Sequence, residues 1–377
     1  MRLAILTTGR QDWGILRSTC VELRQHPAIE AIVLAGGMHC EARFGSTVEQ
    51  LVADGFAVVE RMRWTGETAD APAQVQAGDA MRLIGDALAR HKPDALLLVG
   101  DRFETMAGAL AATLACVPIV HLHGGEETEG AFDNAIRHAI TKLSHLHLVS
   151  HPLHAKRVMA MGEHPTSVHV VGAPGLDNLR RSDLATRAEL EQFLGIKLEP
   201  PVVLVTLHPS TLGDAGDREV SALVEAMDRV DATYVITLPN VDPGAAAIRD
   251  RLREASARPR RCAVEALGER RYFGLMQLCD AMVGNSSSGI IEAPIVRLPV
   301  VNIGDRQKGR LRSNNVIDVP ADATTIATAL SRAVSRGYRE RFAEGGPFGD
   351  GRSAPRIVEI LSRWQPPRPP IKPAVMI

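Results

Sequence analysis

Aromatic side chains are scarce in this sequence, with phenylalanine, tryptophan and tyrosine together making up 4% of its 377 residues. A core must therefore rest on Ala, Val, Leu and Ile, a composition that suits parallel sheets covered by helices. Cysteine is sparse as well: Cys20, Cys40, Cys116, Cys262 and Cys279 are odd in number and show no CxxC spacing. They read as reduced, mostly buried thiols of a cytoplasmic protein. No window approaches the ~18–20 uninterrupted apolar residues of a membrane span. Met1-Arg2 runs straight into a strand-like Leu3–Leu6, without a separate signal segment. An excess of one charge is also missing. The net charge is -1 and the pI near 6.9, which leaves no general field for nucleic acid and no acidic tail, although a local basic patch can still hold phosphates. GxGxxG, HExxH and GxSxG are absent, arguing against a dinucleotide fingerprint, a zinc hydrolase and a nucleophile elbow.

What is present is a repeated alternation of short apolar runs and helix-like segments. The length calls for two domains. In the first half the strands are Leu3–Thr7, Ile29–Ala35, Phe56–Glu60, Ala95–Val99, Pro118–Leu122, His145–Val149 and Val168–Val171, about seven βα repeats. Trp64–Ala77 is polar and irregular and reads as a mobile loop before a helix over Ala80–Arg90. Gly172-Ala173-Pro174-Gly175 breaks the pattern. The second half restarts with strands at Val202–Thr206, Thr233–Thr237, Ala281–Val283 and Pro299–Asn302. The expected organisation is a Rossmann-like domain over residues 1–175 carrying acid and base residues, and a second one over 176–353. Residues 354–377 add a helix packing back on the first domain and a Pro-rich tail. Two doubly wound α/β domains facing a central cleft make a glycosyltransferase-B-type fold.

The densest chemistry lies between Val99 and Lys142. Ala95–Val99 ends in Gly100-Asp101-Arg102, and Pro118–Leu122 ends in His123-Gly124-Gly125-Glu126. Asp133, Asn134 and a helix with Arg137 and His138 follow. Ligands bind at that carboxyl edge in open α/β sheets. The first strand delivers Gly9-Arg10 to its own carboxyl-end turn. In the second half, His208 follows a strand, and Gly284-Asn285-Ser286-Ser287-Ser288-Gly289 opens a helix expected over Ile290–Pro294 and beyond. Hydroxyls and backbone N–H groups there form an anion cradle. Glu292 stands one turn further on, placed to accept both hydroxyls of a ribose, and Arg306, Lys308, Arg310 and Arg312 suit a diphosphate. Nine of the 13 histidines fall between His121 and His169. Metal-ligand spacing is not among their patterns, and a structural role is the expectation.

These residues resemble the hydrolysing UDP-N-acetylglucosamine 2-epimerases of sialic acid biosynthesis. The resemblance rests on GMHCEARFG at Gly37–Gly45, GDRFE at Gly100–Glu104 and HLHGGEETEGAFDNAIRHAITKLSHLH at His121–His147. It continues through VGAPGLDN at Val171–Asn178, LHP at Leu207–Pro209, GNSSSGIIEAP at Gly284–Pro294 and NIGDRQKGR at Asn302–Arg310. It implies removal of the C2 proton of a UDP-sugar, elimination of UDP, and hydration of a 2-acetamidoglucal to free N-acetylmannosamine. It also implies no metal, no redox cofactor and a homodimer. Asp101 and Asp133 match the family's acid/base positions, His208 its histidine near the pyrophosphate, and Arg10, Ser286, Ser287, Glu292 and Arg306 its UDP-binding set. Glu126 and His123 join the catalytic candidates; Arg102, Arg137, Asn285, Ser288 and Gly289 join the binding ones. Two departures stand out. Where many relatives read HIEGGE this chain reads HLHGGE, so His123 replaces a glutamate, and Asn134 replaces a frequent second Asp. A hydrolysing epimerase of UDP-2,4-diacetamido-2,4,6-trideoxyglucose, on the route to legionaminic acid, is the alternative. An inverting glycosyltransferase of the same fold, releasing UDP only with an acceptor, and a non-catalytic sensor are more distant ones.

Overall fold

The computed structural model describes residues 1–41, 47–64, 71–127, 133–209, 215–239 and 245–372. By its contacts the chain divides into two compact units, Met1–Asn178 with Gly351–Ile377, and Leu179–Asp350. Each is a parallel α/β sheet.

The first unit carries β1 (Arg2–Thr7), β2 (Glu30–Gly36), β3 (Val58–Met62), β4 (Ala95–Val99), β5 (Ile119–Leu122), β6 (Leu146–Val149) and β7 (Val168–Val170). They lie in the order β3-β2-β1-β4-β5-β6-β7. The central strands are apolar at successive positions because both faces are covered. On β1, Leu3 and Ile5 face Leu16 and Leu23 of the Arg10–Gln25 helix. Ala4 and Leu6 face the other way, toward Ile84 and Leu88 of the Ala73–His91 helix. The chain leaves this unit after Asn178 and returns as the Ser353–Arg363 helix, whose Ile357, Val358 and Leu361 complete the first face. Asp177 caps that returning helix, accepting from Ser353 N at 2.9 Å and Ala354 N at 2.6 Å.

The second unit carries β8 (Val202–Thr206), β9 (Thr233–Thr237), β10 (Arg261–Val264), β11 (Ala281–Gly284), β12 (Val300–Ile303) and β13 (Val316–Val319), in the order β10-β9-β8-β11-β12-β13. Gly284 ends β11 with φ +138°, and a Cβ there would lie 2.0 Å from the Thr206 carbonyl oxygen. Only glycine lets the two strand ends run so close.

Several expectations need correction. The Ala73–His91 helix begins inside the stretch read as a loop. Its first turns face solvent, so no apolar period marks them, and burial starts only at Ala80. Trp64 is core, with its ring lying over Gly36; residues 65–70 lie outside the described set. Strands β10 and β13 went unread because both are four-residue edges, mostly half-buried. The helix expected over Ile290–Pro294 and beyond is a single turn, Ser288–Ile291, followed by a 3-10 turn at Ala293–Val296 that contains Pro294. Proline has no N–H to extend an α-helical ladder. The thiols are mostly buried, as expected: Cys20, Cys40 and Cys279 are buried, Cys262 is half-buried and Cys116 exposed.

Candidate active site

Both sheets reverse their strand order once, between β1 and β4 and between β8 and β11. In open α/β sheets such a switch point, at the strands' carboxyl ends, is where ligands enter. The candidate residues gather beyond the strand ends of each unit.

In the first unit, Thr8-Gly9 turns from β1 into a helix whose first residue, Arg10, is exposed. The turn is fastened by Asp12, which accepts from Thr8 N at 2.8 Å and Thr8 Oγ1 at 2.5 Å. Behind it His39 is buried between Thr7 Oγ1 (2.9 Å) and Thr47 Oγ1 (2.6 Å), and burial pushes its pKa down to about 4. It is a neutral structural ring.

The ends of β4, β5 and β6 lie side by side: Val99 pairs with Leu122, and Leu122 with Leu148. Neighbouring strands are about 4.8 Å apart, so the residues just beyond these ends share one small region. Beyond β4, Gly100 is held by His121, whose Nε2 donates to its carbonyl at 2.8 Å. Burial takes the His121 pKa down to about 3, so this ring too is neutral. Asp101 follows and is ion-paired to Arg137, a guanidinium 6% exposed whose Nη1 also donates to Asn134 Oδ1 at 3.1 Å. Arg137 therefore serves Asp101. Arg102 turns to Glu104, donating to its two oxygens at 2.7 and 3.1 Å.

Beyond β5, His123 adopts φ +65°, a conformation that non-glycine residues rarely hold. Its Nδ1 donates to Glu126 Oε1 at 2.6 Å, while its Nε2 is buried with no hydrogen-bond partner among the described residues. Ser150, just past β6, donates to the same Glu126 oxygen at 2.6 Å and lies 3.0 Å from His154 Nδ1. Burial alone would raise the pKa of Glu126. His123, Ser150 and His154 outweigh it and hold the carboxyl down to about 2, so this group is a fixed carboxylate and not a proton donor. The loop is bound to the Pro152–Ala160 helix: a Cβ on Gly125 (φ +76°) would lie 2.5 Å from the His154 carbonyl, and Arg157 donates to the Gly125 carbonyl. Asp133 opens the Asp133–Leu143 helix; its side chain lies outside the described set.

In the second unit, β8 leads to His208 and β11 to Asn285. Asn285 is fully buried, and its amide grips the His208 backbone from both sides, accepting from N at 2.7 Å and donating to O at 2.9 Å. Its own carbonyl accepts from Arg306 Nη1 at 3.0 Å and Gln307 Nε2 at 2.9 Å. Asn285 is thus a stitch joining three strand-end loops rather than an exposed ligand contact. Ser286 is nearly buried, Ser287 and Ser288 half-exposed, and Gly289 packs against Val300 of β12. Glu292 Oε2 is buried without a partner among the described residues. Burial pushes its pKa up to about 7, against hydrogen bonding from Ser288 and the charge of Arg310. Tyr272 lies beside Ser288 and Thr206, and burial pushes its hydroxyl pKa up to about 12. A carboxyl so placed accepts a hydroxyl readily.

The sequence reading passed over Ser150, His154, Glu104 and Tyr272. Ser150 and His154 carried a signal, since they follow the apolar run of β6; the other two are visible only through their partners.

A family model described as UDP-N-acetylglucosamine 2-epimerase matches residues 21–362 of the chain. A UDP-N,N′-diacetylbacillosamine 2-epimerase (hydrolyzing) of Legionella pneumophila is 33% identical over 364 residues, 96% of each chain. A GDP/UDP-N,N′-diacetylbacillosamine 2-epimerase (hydrolyzing) of Campylobacter jejuni is 32% identical, covering 90% of this chain and 89% of its own. Among solved structures, UDP-GlcNAc 2-epimerase from Neisseria meningitidis bound to UDP-GlcNAc superposes with a TM-score of 0.78 at 19% identity. That match spans 96% of this chain and 99% of the other, a likeness of fold.

Proposed function

The chain belongs to the UDP-N-acetylglucosamine 2-epimerase family, in its hydrolysing branch, and on that premise we propose that its substrate is UDP-2,4-diacetamido-2,4,6-trideoxyglucose. This sugar is the diacetylbacillosamine for which the two relatives at 32 and 33% identity are named, which supports it over the UDP-N-acetylglucosamine first expected. The products are UDP and a free sugar inverted at C2.

The proton chemistry falls to the first unit. As the C1–O bond stretches, positive charge grows at C1 and acidifies the C2 hydrogen. A base takes that proton, its electron pair becomes the C1=C2 bond, and the C1–O pair leaves with UDP. Water then adds its oxygen to C1 and a proton returns to C2 from the other face. The sequence is redox-neutral and balances as substrate plus water. One observation carries the reading: two proton-handling groups, Asp101 on Arg137 and His123 on Glu126, stand beyond the ends of adjacent strands. Asp133 is proposed as a further acid/base group by resemblance. In the second unit, Glu292 is proposed to accept the ribose hydroxyls, and Ser286, Ser287, Arg306 and His208 to face the diphosphate; Arg10 is proposed as a further UDP-binding residue by resemblance. Cations on a departing diphosphate stabilise the charge that develops there. A homodimer in the cytoplasm belongs to the same reading, and Leu110 and Leu114, exposed on one helix, are compatible with an interface.

The test is an NMR product assay in D2O with each nucleotide sugar supplied separately. Release of UDP and of a manno-configured sugar deuterated at C2 is expected, faster from the diacetamido substrate. Faster turnover of UDP-N-acetylglucosamine would reverse the substrate assignment, and release of UDP from neither would overturn the epimerase reading.

A further inference from the structure

We propose that His123 and Glu126 form a histidine–carboxylate dyad in which His123 Nε2 accepts the substrate's C2 proton, while Glu126, braced by Ser150 and His154, is a positioning residue. The inference rests on the epimerase reading and assigns its base.

The hydrogen-bond chain has a single consistent direction. A carboxylate only accepts, so both short bonds to Glu126 Oε1 must be donated to it, one by His123 Nδ1 and one by Ser150 Oγ, each at 2.6 Å. Ser150 has one proton and has spent it, so its contact with His154 Nδ1 at 3.0 Å is donated by the ring. His154, Ser150 and Glu126 thus form a relay of fixed polarity from the Pro152–Ala160 helix across the end of β6 to the loop after β5. With its proton on Nδ1, the neutral His123 ring carries a bare lone pair on Nε2. This is the tautomer a base needs, and the one a partner must impose.

Two costs converge on His123. Its backbone holds φ +65°, and its Nε2 is buried with no partner among the described residues. Strain and an unsatisfied polar atom each oppose folding, and such outliers gather where function requires them. The chain's structural histidines are built otherwise: both ring nitrogens are bonded in His39 (Thr7 and Thr47) and in His145 (Ile119 N and the Pro370 carbonyl). His147 and His138 also leave Nδ1 bare, but His147 lies within β6 with Nε2 on Glu163, and His138 lies within the Asp133–Leu143 helix. His123 instead sits beyond a strand end, beside Gly100-Asp101. When Nε2 takes the proton, the C–H pair moves into the C1=C2 bond, and the imidazolium's charge is met by Glu126. The carboxylate keeps its place and protonation, and Arg157 fixes the loop through the Gly125 carbonyl and Glu127 (2.9 Å).

The first experiment needs no substrate. In the full chain labelled with 15N-histidine, His123 (identified by the signals lost in His123→Gln) is expected to be protonated on Nδ1 when neutral. In Glu126→Ala it is expected to move toward the ordinary Nε2-protonated form. A wild-type ring protonated on Nε2 overturns the dyad, even if Glu126→Ala fails to fold. The second uses whichever UDP-sugar the wild type hydrolyses. His123→Gln should lower kcat by ~100-fold or more, the scale of a lost general base. Glu126→Ala should lower kcat by ~10–100-fold with KM within about threefold, and Glu126→Asp should recover part of the loss. Losses confined to KM, or kcat within about threefold of wild type in Glu126→Ala, would refute the positioning role. A wild type that turns over while His123→Gln matches it defeats this inference alone, whereas a wild type that releases no UDP defeats the epimerase reading beneath it.

Discussion

Asp101 and Glu292 are carboxyl groups at strand-end loops that the fold treats in opposite ways. Asp101 is given a buried guanidinium, Arg137, as its ion-pair partner. Asp101→Asn should lower kcat by at least ~100-fold in the folded variant, as expected of a group acting in proton transfer; near-normal turnover would remove it from the mechanism. Glu292 is instead half-buried, with one carboxyl oxygen buried and unpartnered among the described residues, and burial raises its pKa to about 7. Because the folded value exceeds the unfolded one, its contribution to stability is fully present below about 4.5, and it is lost as pH rises through about 7. Hydroxyls donated by a bound ribose would favour the carboxylate, so UDP binding at pH 7 should expel roughly half a proton, as a group titrating near that pH would. Calorimetry in two buffers of different ionisation enthalpy should show that release in the wild type and none in Glu292→Gln. Equal release in both would take Glu292 out of the site.

At the scale of elements, the site is a property of loops that strands align. The Ser-rich motif opens only one helical turn, Ser288–Ile291, so little macrodipole stands behind it. Its geometry comes from Asn285, which ties the loops after β8, β11 and β12 together. Elsewhere a buried carboxylate joins three elements: Glu163 receives Lys142 at 2.6 Å, His147 of β6 at 3.0 Å and Lys372 of the tail at 2.5 Å. Burial opposes its ionisation, but these partners hold its pKa down to about 2. Its folded value lies below the unfolded one, so its stabilisation is present above about 4.5 and disappears as pH falls through about 2. Glu163→Gln should cost about 1.5–3 kcal/mol near neutral pH, the scale for lost hydrogen bonds to charged groups, and less at pH 3. Urea denaturation of both proteins at the two pH values checks this; an equal loss at both would place the effect in packing.

For the whole molecule, the chain crosses from the first unit to the second and comes back. The returning Ser353–Arg363 helix buries Ala354, Ile357, Val358 and Leu361 in the first unit. Three of these are large aliphatic side chains worth about 1.5–3 kcal/mol each when buried, set against a domain stability of about 5–15 kcal/mol. A chain ending at Asp350 should therefore lose protection from hydrogen exchange in β1, β2 and β4 while Leu179–Asp350 keeps its own. Uniform loss in both units, or none, would contradict the division.

What could be read from residues alone was whatever repeats or concentrates: the apolar runs of β1, β4, β5, β8 and β11, the glycines after β1, β4 and β5 and at the end of β11, and the acid, base and histidine that follow. Period and punctuation are local, so the α/β class and the strand-end position of Asp101, His123 and His208 were legible. The half-buried edge strands β10 and β13 and the solvent-facing start of the Ala73–His91 helix were not, because they carry no full apolar period. Partnership is a different kind of fact. That Arg137 serves Asp101, that Asn285 is buried under His208, and that Glu126 is a fixed brace for His123 depend on side chains brought together from separate elements or turned toward each other in a loop. Composition and spacing state which groups exist; only packing decides which of them spend their hydrogen bonds on each other and which are left with an atom to offer a substrate.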